Sequence, residues 1–393
     1  PFRVKSAMER SIMKKFAVLT VLFMVIALPL TGCGSGDGAN SGGTDAGKQM
    51  ATHQDWPMMM GNMSRTGTAT GGISAQPAIE KAWEFESKEP LRGQPVASNG
   101  KVYFGSDRLY CLDIPTGKEE WSFQADAKIW NTPCISGEKI YFADENGKFY
   151  CVNTRSKNPV WKSKFSSKIE SSPAVSGGVA FFGDMDGNFH CLNADSGYEY
   201  WSFKAGSGIA SAPALLDGKV YFGSQDQKLY CLNQETGELV WESKTDDGIV
   251  NPVVASSGKV WAIVGDANLA CFDALTGAKL WTFKSGDKVT APAVYDQFVF
   301  TGSDFDTFYC LNIADGKEAW NAPVGDNVFG SPAICGDKVF FGSDNKTLYC
   351  MDAKTGKELA KLDCGYPVNA NIAISDGTII TCTDGKVLCF TIR

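Results

Sequence analysis

The sequence predicts an all-β fold, an eight-bladed β-propeller of four-stranded antiparallel blades whose last blade is completed by an N-terminal strand. Three observations predict it. Cysteines recur at Cys111, Cys151, Cys191, Cys231, Cys271, Cys310, Cys350 and Cys389, at intervals of 39 or 40 residues. Ten residues after most of them stands a tryptophan: Trp121, Trp161, Trp201, Trp241, Trp281 and Trp320. About eighteen residues before them stands a proline: Pro95, Pro133, Pro173, Pro213, Pro252, Pro292 and Pro332. Self-similarity at a fixed period of this length is the mark of a repeat architecture.

One unit, residues 209–243, shows the anatomy. Residues 209–215 form an apolar, small-residue strand, and Asp217-Gly218 turns it. Residues 219–223 (K-V-Y-F-G) make the second strand and 228–233 (K-L-Y-C-L-N) the third, with polar residues turning between them. Glu235-Thr236-Gly237 turns the chain into the fourth strand, 238–243. Short alternating runs bounded by Gly, Asp and Asn are the hairpin signal. Four such strands fill the period and leave no room for a helix, which is the make-up of a propeller blade. The last repeat stops at Thr391-Ile392-Arg393, after its third strand. Residues 79–86, with Trp83 twelve residues before Pro95, form an orphan fourth strand. Pairing the two closes the ring and removes its exposed sheet edges.

Composition agrees. The 393-residue chain is 44% hydrophobic and 12% aromatic, with 42 glycines for its turns. Residues 1–32 carry five Lys/Arg and one Glu, so the remainder holds a net charge of -11. Such a surface repels phosphate backbones and excludes nucleic acid as a partner. At the N-terminus, Lys14-Lys15 precede an uncharged apolar run, residues 16–30, followed by Leu30-Thr31-Gly32-Cys33. A basic start, an apolar stretch too short for a membrane span (which takes about 20 residues) and small residues before a cut describe an export signal. Four parts are expected: a signal peptide with lipobox (1–32), a flexible tether (33–54), an entrance segment (55–78) and the propeller (79–393). Met13 or Met8 is the expected start. Random-coil scaling gives the Gly/Ser/Asn-rich tether a reach of about 25 Å.

Leu30-Thr31-Gly32-Cys33 resembles the bacterial lipobox, which implies lipid attachment at Cys33 and a membrane partner through that anchor. The run C-L-D-x-x-T-G-K-E-x-W, residues 111–121, resembles the tryptophan-docking repeat of pyrroloquinoline-quinone-type propellers. Variants recur at residues 231–241, 271–281 and 310–320, and the segment from Asp55-Trp56-Pro57 to Arg65-Thr66-Gly67 is similar to the one that precedes such propellers. In the repeat, Gly supplies a positive-φ turn and Trp packs between neighbouring blades. No Gly-His…Trp-Asp pair recurs, so the repeat is not of the Trp-Asp type. The resemblance implies one of two functions. Quinoprotein dehydrogenases hold the quinone and Ca²⁺ in the central funnel, whereas BamB-type lipoproteins scaffold outer-membrane β-barrel assembly. There is no Cys-Cys dipeptide of the kind that quinoprotein alcohol dehydrogenases carry, and the blades lack long insertions. A non-catalytic, monomeric protein-interaction scaffold is the favoured expectation, at the periplasmic face of the outer membrane or at a Gram-positive cell surface. A small-molecule or carbohydrate-binding module and a quinone-dependent dehydrogenase stay as alternatives.

Catalytic chemistry is sparsely provided. His53 and His190 are the only histidines, His53 falls in the tether, and one structured histidine supports no Ser-His-Asp set. Thirteen cysteines without C-x-x-C spacing argue against zinc. Asp184-Met185-Asp186-Gly187-Asn188 hints at a calcium loop but departs from the EF-hand spacing. No cofactor is expected, neither pyrroloquinoline quinone nor calcium. The eight repeat cysteines are expected to be buried and reduced, because stacked sheets lie about 10 Å apart and a disulfide needs Cα atoms within about 7 Å.

A working surface is expected on the face of the second-to-third-strand turns and the links between blades. It would gather Asp107, Asp144, Glu145, Asp184, Asp186, Asp226, Asp266, Asp304, Asp306, Asp344 and Asp384, partly offset by Lys88, Lys128, Lys168 and Lys288. The residue three before each proline should line the funnel mouth there, giving Arg92, Trp130, Glu170, Ala210, Ile249, Val289 and Phe329. Ring packing does not call for an Arg, a Trp and a Glu on successive blades. Arg92, Trp130 and Glu170 are therefore the expected binding patch, an aromatic anchor flanked by charges.

Overall fold

The computed structural model describes residues 55–69, 73–74, 76–383 and 385–393. The signal peptide, Cys33, the tether and Asp384 lie outside the described residues. Within them the repeat forms eight antiparallel blades of four strands each, and no helix. The first strand of each blade lies against its neighbours around the centre, and the fourth lies at the rim.

In the blade expected at 209–243, strands two to four run Lys219–Ser224, Lys228–Asn233 and Leu239–Lys244, within a residue of expectation. The innermost strand does not run from 209. It is only Ala214–Leu216. Ile209 instead donates its N–H to Asp184 O of the preceding blade, and Pro213 has no N–H to give. Each link thus spends its hydrogen bonds between blades before a three-residue inner strand begins.

The tryptophans weld blade to blade. Trp161, Trp241, Trp281 and Trp320 donate Nε1–H to Ala194, Ala274, Ile313 and Ala353 carbonyls of the next blade, at 2.9 to 3.2 Å. Each indole lies on the turn glycine of that next blade. A Cβ on Gly237 would sit 2.5 Å from Trp201, and its φ of +73° suits glycine. Opposite each indole stands the repeat cysteine, as in the pairs Cys111–Trp121 and Cys231–Trp241. All eight repeat cysteines are at most 1% exposed and free. Burial pushes the Cys231 and Cys350 thiols up to about 12 and Cys151 to about 11.

Closure follows the expected pairing. Ile79–Glu86 runs antiparallel to Lys386–Ile392, from Ile79 opposite Ile392 to Glu86 opposite Lys386. A bulge between Lys81 and Trp83 sets Trp83 against Cys389, as the other blades set theirs. Trp83 Nε1–H then reaches Ile114 O of blade one at 2.6 Å. Bonds from Lys81 and then from Lys386 hold the Glu84 carboxyl below its ordinary range.

The entrance segment closes one end of the channel. Its carbonyls accept N–H groups from the inner strands of six blades: Trp56 O from Ala97, Pro57 O from Ile135, Met63 O from Leu215, Ser64 O from Ala255, Thr66 O from Val294 and Gly67 O from Ile334. Thr68–Ala69 then adds a short parallel strand to Ala333–Cys335. At the centre Arg65 is fully buried, at φ +57°. Its guanidinium donates to carbonyls only, Pro213 O at 2.5 Å, Met59 O at 3.0 Å and Ser172 O at 3.2 Å. Burial pulls this group down to about 10, so it remains a cation at neutral pH. Residues 55–69 form a plug on the face of the first-to-second-strand turns.

Deleting residues 1–86 removes both plug and closing strand, and the truncated ring should lose cooperative unfolding; a melt matching that of the mature chain would show the closure to be misassigned. Arg65→Met leaves several buried carbonyls without a donor and should cost about 3 kcal/mol in urea unfolding; a change within 0.5 kcal/mol would refute the plug's role. Iodoacetamide at pH 8 should modify none of the eight repeat cysteines before denaturation and all eight after it, as read by mass spectrometry, whereas disulfide-linked peptides among them would contradict the packing.

Candidate functional site

Among the described residues, with one end plugged, the channel opens on the face of the links and the second-to-third-strand turns. Two adjoining cavities of about 320 and 300 Å³ occupy this funnel and share Met59 of the plug and Pro252 in their walls. The first is lined by Arg92, Trp130, Asn131, Thr132, Glu170, Ser172, Ala210, Ala212 and Val250. Arg92, Trp130 and Glu170 therefore meet at one cavity. The Arg92 guanidinium lies 4.5 Å from the Trp130 ring centroid, a cation–π contact. Arg92 and Glu170 are exposed, and among the described residues neither has an ion-pair partner. The second cavity is lined by Phe329, Asp304, Asn251, Ser331, Asn371 and the ion pair Lys288–Asp266 at 3.2 Å.

Of the seven expected mouth residues Ile249 is fully buried and lines neither cavity, whereas Val289, nearly buried, lines the second. Their N–H groups donate to Ser224 O and Asp266 O as Ile209 does to Asp184 O, so the three are equivalent. Pro252 stands one position early in its repeat, which puts Val250, 41% exposed, at the mouth of blade five. In blade six the link is one residue shorter, and Thr290 follows Val289 directly into the wall.

The acidic face is also smaller than expected. Asp144 and Asp184 are buried. Asp144 accepts the Asn146 and Lys148 amides and the Tyr150 hydroxyl. Asp107 and Asp226 accept the hydroxyls of Tyr110 and Tyr230. Asp184 bonds the Asn188 amide, Asn188 Nδ2 and His190 Nε2, while Glu199 takes His190 Nδ1 at 2.7 Å. Burial pushes the Asp184 carboxyl up, but the bonds from His190 and Asn188 outweigh it and hold it below its ordinary range. His190 thus does the work of the tyrosine in other blades, and the calcium-like loop spends its first carboxylate on its own turn. Among the described residues no three His, Cys, Asp or Glu side chains gather at metal-binding range.

A polar belt inside the funnel was not expected. Ser331 N–H donates to Asn371 Oδ1, Asn371 N–H to Gln94 Oε1, Gln94 N–H to Thr132 Oγ1 and Thr132 N–H to Ser172 Oγ, at 2.7 to 3.0 Å. The belt crosses blades seven, eight, one, two and three. It breaks at Ala212, Pro252 and Ala291, which hold the same position in blades four to six. Reading the residue just before each proline across the repeats finds Gln94, Thr132, Ser172 and Ser331, but not Asn371, whose repeat has Ile372 in place of the proline.

A ring of eight blades, seven of them with a tryptophan opposite the repeat cysteine and one with Ala360 there, closed by an N-terminal strand and plugged from its own N-terminal side, defines a pyrroloquinoline-quinone-like propeller. The family model described as outer membrane protein assembly factor BamB matches residues 75–161, 145–267 and 265–387, and the chain belongs to that family. Among solved structures it is similar to BamB from Moraxella catarrhalis, at 17% identity and TM-score 0.66 over 80% of this chain and 98% of that one. It is similar also to the quinohemoprotein alcohol dehydrogenase of Comamonas testosteroni, at 13% identity and TM-score 0.73 over 86% of this chain and 80% of that one. A computationally designed protein matches at 18% identity and TM-score 0.70, over 78% of this chain and 97% of that one. Likeness at these identities speaks for the fold alone. No curated protein matches the chain in sequence.

Proposed function

We propose that the chain is an exported, lipid-anchored scaffold, not an enzyme, which holds a segment of a partner protein at its open funnel. The observation that carries this reading is the one-ended funnel itself. Arg92, Trp130 and Glu170 converge on its first cavity, and the same face exposes Val250, Phe305 and Phe329. Exposed apolar anchors flanked by unpaired charges suit a protein partner, with aromatic and Arg side chains supplying most of the affinity. Membership of the assembly-factor family supports a partner in the cell envelope. Lipid attachment at Cys33 rests on Leu30-Thr31-Gly32-Cys33 and puts the chain at a membrane surface.

The funnel lining does not fit pyrroloquinoline quinone with calcium. Such a tricarboxylate calls for several free cations, but the two cavities are lined by one, Arg92, since Lys288 is paired with Asp266. The carboxylates that line the cavities, Glu170, Asp266 and Asp304, come from separate blades and form no cation-binding group. A carbohydrate ligand is the second reading, favoured by the amide and hydroxyl belt beside Trp130.

Replacing Arg92, Trp130 and Glu170 together by Ala should lower recovery of cross-linked membrane proteins at least fivefold while leaving the melt unchanged. Unchanged recovery would remove the patch from the reading, and a loss of glycan binding with recovery intact would favour the second one.

A further inference from the structure

The plugged face has a surface of its own. Of the eleven exposed large apolar side chains among the described residues, three lie on the funnel face. Seven lie on the outer rim of four successive blades, two to five, beside the third-to-fourth-strand turns. Tyr198 and Leu275, both 70% exposed, stand in those turns. Val160, Tyr200, Val240 and Leu280 each stand just before the blade's tryptophan.

The position has a structural cause. In every blade the fourth strand slips its register there, as between Cys191 and Leu192 against Trp201 and Glu199. A bulge of this kind aims its extra residue away from the sheet. Blades one, six and eight put Glu120, Ala319 and Ala82 at the bulge, and in blade seven Leu359 is half-buried. Packing within a blade therefore does not require a large apolar residue, yet four successive blades carry one. The Tyr198 and Tyr200 rings also touch, at 6.3 Å between centroids.

The chain enters the ring on this same face. Asp55 accepts bonds from Ser98 Oγ at 3.0 Å and Asn99 N–H at 2.9 Å, at the first turn of blade one. Cys33 lies only 22 positions before Asp55, so the fully extended span is at most about 75 Å, and random-coil scaling gives about 25 Å. A bilayer holding Cys33 is thus within reach of the plugged face. Tyrosine and aliphatic side chains at a rim suit the boundary between headgroups and acyl chains, where an amphipathic ring has one wet end and one apolar one.

We propose that the plugged face rests on the bilayer surface, with the rim of blades two to five dipping Tyr198, Tyr200, Leu275 and Leu280 into the headgroup layer and the funnel turned outward. This rests on the reading of Cys33 as the lipid anchor. The net charge of -11 after residue 32 works against attraction to anionic lipid, so contact should form on zwitterionic, net-neutral phosphatidylcholine.

The test uses the full chain expressed with its lipid and reconstituted into phosphatidylcholine vesicles containing doxyl-labelled lipid. Tyr198→Cys, Leu275→Cys and, on the funnel face, Phe329→Cys are each labelled with an environment-sensitive dye; the described native cysteines are buried and stay unlabelled. Normal melting of each variant and the mass of the Cys33 peptide are checked in the same samples. Doxyl lipid should quench the dye at 198 and 275 at least threefold more than at 329. With Cys33 diacylated, equal quenching on both faces overturns the orientation and leaves the anchor standing. Self-association that shields 198 and 275 from lipid gives the rim to a second copy instead and also overturns it. An unmodified Cys33 overturns the anchor and the orientation together.

Discussion

A ring of blades has an unavoidable polar problem at its centre. Each inner strand pairs on one side only, so its other edge turns N–H and C=O groups towards the channel. A buried donor without a partner costs about 1–3 kcal/mol, and a ring repeats the cost blade after blade. The entrance segment meets it with backbone, giving one carbonyl to each of six inner strands. Because the segment crosses the ring once and has no internal repeat of the blade period, it breaks the ring's symmetry and makes its faces different. Arg65 is what lets it cross the centre: one cation gathers carbonyls from blades three and four and from the plug itself. The price is a fully buried charge held without a carboxylate.

The plug and the closing strand are parts of one stretch of chain, and that placement matters mechanically. Residues 55–69 lock the inner strands, and residues 79–86 lock the outer edge of blade eight. Ala78 and Arg393 are fastened together by two backbone bonds as well as through the sheet. The ring cannot open at its seam without releasing the tryptophan of the closing strand from blade one.

The repeat made most of the fold legible. Cys, Trp and Pro recur because one strand pairing and one blade-to-blade dock recur, so eight blades, closure and buried thiols could all be read from spacing. Misplacement came where a local marker drifted from the position it marked. Pro252 sits one residue early, so counting back from it reached buried Ile249 instead of Val250. Asp144 and Asp184 resembled surface acids, but the tyrosine or histidine six residues on takes each of them into the turn. The polar belt and the plug were beyond a single-repeat reading, since their partners come from different blades and nothing local to Gln94 or Arg65 names them. For the funnel, the sequence supplied the odd residues on successive blades; their meeting at one cavity is a property of the ring.

Everything said about function depends on the channel having one open end. Hydrogen exchange on the intact protein measures this directly. The amides of Ala97, Ile135, Leu215, Ala255, Val294 and Ile334 donate to the plug, and no other strand covers them. They should exchange only through global unfolding, as slowly as the central strands of the blades. If they exchange like free amides while the blades stay protected, the plug is not in place, the channel is open at both ends, and the distinction between the faces fails.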